Sequence, residues 1–107
     1  MNTLNAHEVQ AMITARPETK LIMVLNPIAF QKAHIPGSQN IYDMSRVDDT
    51  LSKDAPIIVY CSDVGCMASY AAYKQLEAAG FTQIWRFAGG LLEWEEAGYP
   101  VSKGTPN

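Results

Sequence analysis

Two cysteines, Cys61 and Cys66, are the side chains in this sequence whose type and spacing best suit covalent chemistry. Cys61 directly follows residues 57–60, four apolar residues that predict a buried strand, and a short loop separates it from an alanine-rich run that predicts a helix over residues 68–79. The N–H groups at a helix start have no partner within the helix, so they can point at an anion such as a thiolate. We therefore predict that Cys61 is a nucleophile, with an inert thiol at a strand end as the alternative.

The loop between Cys61 and the predicted helix is the predicted substrate-binding segment. If this loop curls around the cysteine, its residues surround any group attached to the sulfur: Ser62, Asp63, Val64, Gly65, Cys66 and Met67. The loop contains no lysine or arginine, and Asp63 places a negative charge in it. The sequence therefore predicts a site that binds through backbone groups rather than through a side-chain cation.

The composition is that of a globular protein. Because the chain has 107 residues, of which 48% are hydrophobic and 18% charged, we expect residues 1–107 to form one domain with a sizeable core. The net charge is -3 and the basic residues are scattered, which argues against nucleic acid and against a membrane surface as partners.

Location and metal content can also be predicted from the sequence. The first residues lack the charged and apolar segments of a leader, and no apolar run is long enough to cross a membrane, so we predict a cytoplasmic protein. The C-x4-C spacing with only two histidines makes a poor zinc site and does not match the C-x-x-C redox motif. No metal or cofactor is predicted.

Hydrophobic periodicity predicts strands that alternate with helices. The predicted strands cover residues 20–25, 39–42, 57–60 and 82–87, and the predicted helices cover residues 6–16, 68–79 and 91–97. Residues 28–33 are compatible with a short helix or a turn. Residues 43–54 are polar and predict a connecting loop with at most one helical turn. This order predicts an α/β fold, a small parallel sheet with helices on both faces, in which sites lie beyond the carboxyl ends of the strands, where Cys61 falls.

Three stretches of the sequence carry longer motifs. Residues 34–41 read HIPGSQNI, Cys61 follows an apolar strand, and residues 89–101 read GGLLEWEEAGYPV. These stretches resemble the H-I-P-G-A-x-N-I signature, the persulfide-forming cysteine and the G-G-x-x-x-W-x-x-A-G-Y-P-V pattern of the rhodanese-like domain family of sulfurtransferases. The resemblance spans nearly the whole chain, and it implies a single domain with about five parallel strands flanked by helices.

The resemblance also implies a reaction and its partners. The matching cysteine of the family takes a sulfane sulfur as a persulfide, so we predict that Cys61 accepts sulfur from a small donor (a persulfide, a polysulfide or thiosulfate) and passes it to a thiol or another nucleophile. A partner protein is compatible with this reaction, but the sequence does not identify one. Thiosulfate is predicted to be a poor donor, because it is a dianion and the arginine that often ends the family loop is missing here.

Other departures from the family, and two other residues, bear on this interpretation. Met23-Val24-Leu25 replaces the usual Asp-Val-Arg triplet, and the loop is one or two residues longer. Cys66 is interpreted as a neighbour packed under the loop, because a disulfide requires specific Cα separations that a sequence does not reveal; the alternative is a thiol that attacks the Cys61 persulfide and releases sulfide. His34 matches a family position that lines the pocket, but a lone histidine in a turn is more often structural, so no catalytic role is predicted for it.

Two other functions are compatible with these motifs. A non-catalytic binding or regulatory module would keep the fold after losing the charged residues of the chemistry. A phosphatase or arsenate reductase would use a similar cysteine loop, but it depends on an arginine at the loop end to hold the oxyanion, and that arginine is absent. Sulfur transfer is the leading hypothesis, the binding module is its alternative, and persulfide formation at Cys61 distinguishes them.

Overall fold

A computed structural model describes residues 1–104, which form a five-stranded parallel sheet with helices on both faces. The strand order is β1-β5-β4-β2-β3, so β4 is central. The elements in chain order are β1 (Thr3–Leu4), α1 (Ala6–Ala15), β2 (Lys20–Met23), α2 (Pro27–Lys32), β3 (Gln39–Asn40), a 3-10 helix (Met44–Asp49), β4 (Ile57–Tyr60), α3 (Ala68–Ala78), β5 (Ile84–Phe87) and α4 (Gly90–Glu96). The predicted α/β class and the parallel sheet are confirmed. None of these helices is long and apolar enough to cross a bilayer.

Apart from shifts of one or two residues at the ends of elements, the structure differs from the sequence predictions at two places. β1 was not predicted from the sequence pattern, because two residues are too few to show a period; it is a strand only through its parallel pairing with β5, where Thr3 faces Arg86. The prediction of at most one helical turn in residues 43–54 is wrong. A 3-10 helix of six residues lies there, which is about two turns, and the Asp43 carboxylate caps it by accepting from the Ser45 N–H at 3.0 Å.

The central strand β4 divides the core into two layers. Its four residues are all fully buried, and their side chains alternate between the two faces of the sheet. On one face, Ile57 and Val59 pack in a cluster with residues of α3 and the 3-10 helix. On the other face, Ile58 and Tyr60 pack with residues of α1, α2 and α4. Because both faces are covered, the position directly after β4 is enclosed by protein.

The Tyr60 hydroxyl connects the end of β4 to the turn after α2 by hydrogen bonds. The Ile35 N–H donates to the Tyr60 hydroxyl at 3.0 Å, and the Ser38 hydroxyl lies 2.8 Å from the same oxygen while it donates to the Ile35 carbonyl at 2.6 Å. Burial raises the pKa of Tyr60 to about 12, against the lowering effect of these hydrogen bonds. The phenol therefore stabilises the fold below its ordinary pKa near 10, and this stabilisation is lost as the pH rises through about 12.

The Tyr60→Phe variant is expected to be less stable than the parent by about 1–3 kcal/mol, because the buried Ile35 N–H would lose its acceptor. Urea unfolding followed by circular dichroism measures the difference. Tyr42→Phe is the matched control, since Tyr42 is 64% exposed and its variant should stay within about 0.5 kcal/mol of the parent. Equal unfolding midpoints for the two variants would contradict the role assigned to Tyr60.

Candidate active site

Cys61 lies directly after β4, at the carboxyl edge of the sheet. All neighbouring strands run parallel to β4, so the chain segments that follow β2 and β5 leave the sheet at this same edge. The Cys61 side chain is 0% exposed, which sets it beneath the loop rather than on its surface. The predicted nucleophile thus occupies the place where α/β folds hold their sites.

The first turn of α4 fixes the backbone of Cys61. The Leu91 N–H donates to the Cys61 carbonyl at 3.0 Å, and the Leu92 N–H donates to the Ser62 carbonyl at 2.8 Å. Gly90 makes this approach possible: its φ is +60°, and a Cβ at this position would lie 2.5 Å from the Cys61 carbonyl oxygen. The Gly-Gly pair is visible in the sequence, but its contact with the cysteine is a long-range one that the sequence does not reveal.

The predicted substrate-binding loop is folded around Asp63. The Asp63 carboxylate accepts from the Gly65 N–H at 2.9 Å, and the Asp63 carbonyl accepts from the Cys66 N–H at 3.1 Å. Two of the loop N–H groups are therefore directed at Asp63 and not at Cys61. The helix start at Met67 has no side-chain cap, so the N–H groups of the first turn of α3 are the remaining donors on this side.

The structure joins Cys61 and Cys66 by a disulfide between their Sγ atoms. Their Cα atoms are 6.3 Å apart, within the range that disulfides span in proteins. Cys61 is fully buried, whereas Cys66 is partly exposed. The Cα separation that the sequence could not supply is thus compatible with the second interpretation of Cys66, as a thiol that reacts at the Cys61 sulfur.

Several large apolar side chains are exposed on the segments that follow the strands. Apart from Met1, the large apolar side chains that are exposed in residues 1–104 all follow the carboxyl ends of strands, and we call them the apolar rim: Ile28, Tyr42, Val64, Met67, Tyr70 and Leu92. Within the loop, Val64 is 74% exposed and Met67 is 58% exposed, whereas Ser62 and Asp63 are half-buried. The large side chains that the loop exposes are therefore apolar.

The Arg86 side chain extends from β5 to the first turn of α3 and brings a positive charge there that the sequence analysis did not identify. The Arg86 Nε donates to the buried Ser69 hydroxyl at 3.0 Å, and its guanidinium carbon lies 5.7 Å from the centre of the Tyr70 ring. Side chains alternate between the two faces of the sheet along β5, so Arg86 lies on the same face as Ile84, which packs against α3. This alternation is visible in the sequence and could have identified Arg86. Arg86 supports the first turn of α3, while the loop of residues 61–67 carries no cation of its own.

His34 belongs to a different part of the molecule. Its ring stacks on Phe30 with centroids 3.8 Å apart, its Nδ1 lies 2.8 Å from the Phe30 carbonyl oxygen, and its backbone pairs with Ser102. It lines a cavity of about 820 Å³ to which no residue of the Cys61 loop contributes. In residues 1–104, no group of three His, Cys, Asp or Glu side chains is placed to hold a metal ion.

Comparison with known proteins gives a family for this arrangement. A family model described as "Rhodanese-like domain" matches residues 5–97. The Alr3790 protein from Anabaena sp. has a crystal structure that superposes with a TM-score of 0.86 at 23% identity, over 96% of this chain and 94% of that one, which shows a shared fold.

Two sequence relatives differ in what their names say. A protein named thiosulfate sulfurtransferase GlpE from Pseudomonas syringae is 31% identical over 93 residues, which is 85% of each chain. A protein named HTH-type transcriptional regulator Rv0324 from Mycobacterium tuberculosis is 34% identical over 92 residues, 83% of this chain. The chain spans only 40% of the length of that regulator.

Proposed function

The chain belongs to the rhodanese-like domain family, and we propose that it is a sulfurtransferase in which Cys61 carries the sulfur as a persulfide. The observation that supports this most is the position of Cys61, buried at the carboxyl end of β4 with its carbonyl held by α4. In the proposed reaction, the Cys61 thiolate attacks the outer sulfur of a donor, the donor S–S bond breaks, and the donor leaves as a thiolate. An acceptor thiolate then attacks the outer sulfur of the Cys61 persulfide and regenerates the Cys61 thiolate.

The charges and the surface around Cys61 favour an organic persulfide as the donor. Thiosulfate is a dianion, and the loop offers it no side-chain cation while Asp63 repels it. Arg86 is already engaged with Ser69 and the Tyr70 ring. Val64 and Met67 of the apolar rim, by contrast, are exposed in the loop itself and provide surface on which the carbon-containing part of a persulfide can pack.

Loading of Cys61 is expected to be at least about fivefold faster from cysteine persulfide than from thiosulfate, because the repulsion of one additional unit charge a few ångströms away costs roughly 1 kcal/mol or more. Stopped reactions followed by intact-protein mass spectrometry give both rates, either from the mass of one added sulfur or, if Cys66 then displaces that sulfur, from the loss of two hydrogens.

Asp63→Asn is the matched control for this comparison. It keeps an oxygen that can accept from the Gly65 N–H, so the loop geometry is retained while the charge is removed. Loading from thiosulfate should therefore become faster, and the difference between the two loading rates should become smaller. Comparable loading of the parent by both donors, or an unchanged thiosulfate rate in Asp63→Asn, would count against the electrostatic explanation.

The partners and the location are part of the same proposal. A low-molecular-weight thiol or a cysteine of another protein is the proposed acceptor, since attack on a persulfide requires a thiolate or a similar nucleophile. We place the reaction in the cytoplasm, where thiols are kept reduced and can act as acceptors.

A binding or regulatory module is the second candidate function. Two observations favour it: a relative named a transcriptional regulator contains a matching region, and the loop of residues 61–67 has no cation. Such a module would keep the buried position of Cys61 but would not exchange sulfur. A protein that stays folded, acquires no sulfur at Cys61 and releases no sulfide with any donor would support this second function over the first.

A further inference from the structure

Cys66 lies where a second thiol can react with a sulfur carried by Cys61. The two Sγ atoms are bonded in the structure, and the Cα atoms are 6.3 Å apart, so no backbone movement is needed to bring the sulfurs together. The turn made by the Cys66 N–H and the Asp63 carbonyl, at 3.1 Å, brings this part of the loop back toward Cys61. The bond from the Gly65 N–H to the Asp63 carboxylate, at 2.9 Å, braces the same turn.

We infer that Cys66 is a resolving thiol, so that the site releases the accepted sulfur as hydrogen sulfide instead of only passing it to an external acceptor. This inference rests on the proposed function, because it requires a persulfide on Cys61. It assigns to the protein a further activity, the reduction of organic persulfides to a thiol and sulfide. The electrons come from the two cysteine thiols and are returned by external thiols.

Each bond change in the proposed cycle is balanced. In the first step the Cys61 thiolate takes the outer sulfur of a persulfide RSSH, giving the Cys61 persulfide and the thiolate RS⁻. In the second step the Cys66 thiolate attacks the inner sulfur of that persulfide, on Cys61, so the Cys61–Cys66 disulfide forms and HS⁻ leaves. The sulfane sulfur is reduced by two electrons, and the two cysteines are oxidised to the disulfide that the structure contains.

The burial of the two cysteines sets the direction of the return step. Cys61 is 0% exposed, whereas Cys66 is partly exposed, so an external thiolate reaches the Cys66 sulfur more readily. Its attack breaks the disulfide, forms a mixed disulfide on Cys66 and frees Cys61 as a thiolate beside the first turn of α3. A second external thiolate then attacks the external sulfur of the mixed disulfide, which releases Cys66 and gives the external disulfide RSSR.

The test uses the full chain, reduced and then freed of reductant, with cysteine persulfide as the probe. The parent should release one sulfide per chain in excess of a protein-free blank, lose the mass of two hydrogens, and accumulate no persulfide. Cys66→Ser should accumulate the persulfide on Cys61, with sulfide release reduced to the blank. Cys66→Ala should behave like Cys66→Ser, and circular dichroism confirms that both variants are folded.

The outcomes separate this inference from the function on which it rests. A parent that accumulates the Cys61 persulfide without forming the disulfide, or a Cys66→Ser variant that releases sulfide as fast as the parent, overturns the resolving role and leaves sulfur transfer intact. If neither the parent nor folded Cys66→Ser takes up sulfur on Cys61, the proposed function fails and the inference fails with it.

Discussion

Replacing Cys61 by serine is expected to reduce sulfur transfer by about a thousandfold or more, because a serine hydroxyl is not ionised near neutral pH and does not hold a sulfane sulfur. The measurement is the rate at which a reduced protein moves sulfur from cysteine persulfide to a second thiol. Serine differs from cysteine by one atom, so its volume fits the buried position after β4, and burying its hydroxyl there costs roughly 1–3 kcal/mol at most.

The fold of this variant must be shown separately from its activity. Under reducing conditions neither the parent nor Cys61→Ser has the disulfide, so their urea unfolding curves can be compared directly. The expected result is a cooperative unfolding curve, lower in stability than the parent by roughly 3 kcal/mol at most, together with a lost reaction. A Cys61→Ser protein that transfers sulfur at the parental rate would show that another residue is the nucleophile.

The Gly90→Ala substitution is expected to cost about 2–5 kcal/mol of unfolding free energy. Gly90 has φ +60°, and the added Cβ would lie 2.5 Å from the Cys61 carbonyl oxygen, a backbone atom that can move only if the loop or α4 moves. The Leu91 and Leu92 N–H groups would then lose their contacts with the loop carbonyls. Persulfide loading of Cys61 should fall as well, because its backbone would no longer be fixed.

Gly98→Ala separates the effect of backbone conformation from that of the contact. Gly98 also has a positive φ, +88°, but a Cβ there would meet nothing within 4 Å. This control should lose only about 1–2 kcal/mol and retain sulfur loading. If urea unfolding gave equal losses for the two variants, with loading unaffected in both, the close approach of Gly90 to Cys61 would not matter for the site.

The sequence alone was sufficient where a pattern is local. The unbroken apolar run of β4 and the alanine-rich run of α3 each specify their own element. β1 could not be predicted in this way. Its two residues form a strand because they pair with β5, where the Arg86 N–H donates to the carbonyl of the preceding Asn2 at 2.8 Å. This pairing joins segments that are far apart in the sequence.

The candidate site was predictable in part for the same reason. Cys61 and its loop follow from the order of strand, cysteine and helix, which is a local signal. The contacts of Gly90 with Cys61 and of Arg86 with Ser69 join segments that are distant in sequence, so residue types alone did not reveal them. The 6.3 Å Cα separation of the two cysteines depends on the turn around Asp63, and residue types alone did not reveal this turn either.

The most direct test of the proposed chemistry is a mass spectrum of the Cys66→Ser protein after reaction with cysteine persulfide. The chain has two cysteines, so in this variant Cys61 is the only thiol and any sulfur gained is assigned without ambiguity. After alkylation and digestion, the peptide that contains Cys61 should carry the mass of one additional sulfur atom, and dithiothreitol should remove it. A folded variant whose Cys61 peptide carries only the alkyl group, at every persulfide concentration, would contradict sulfur transfer by this protein.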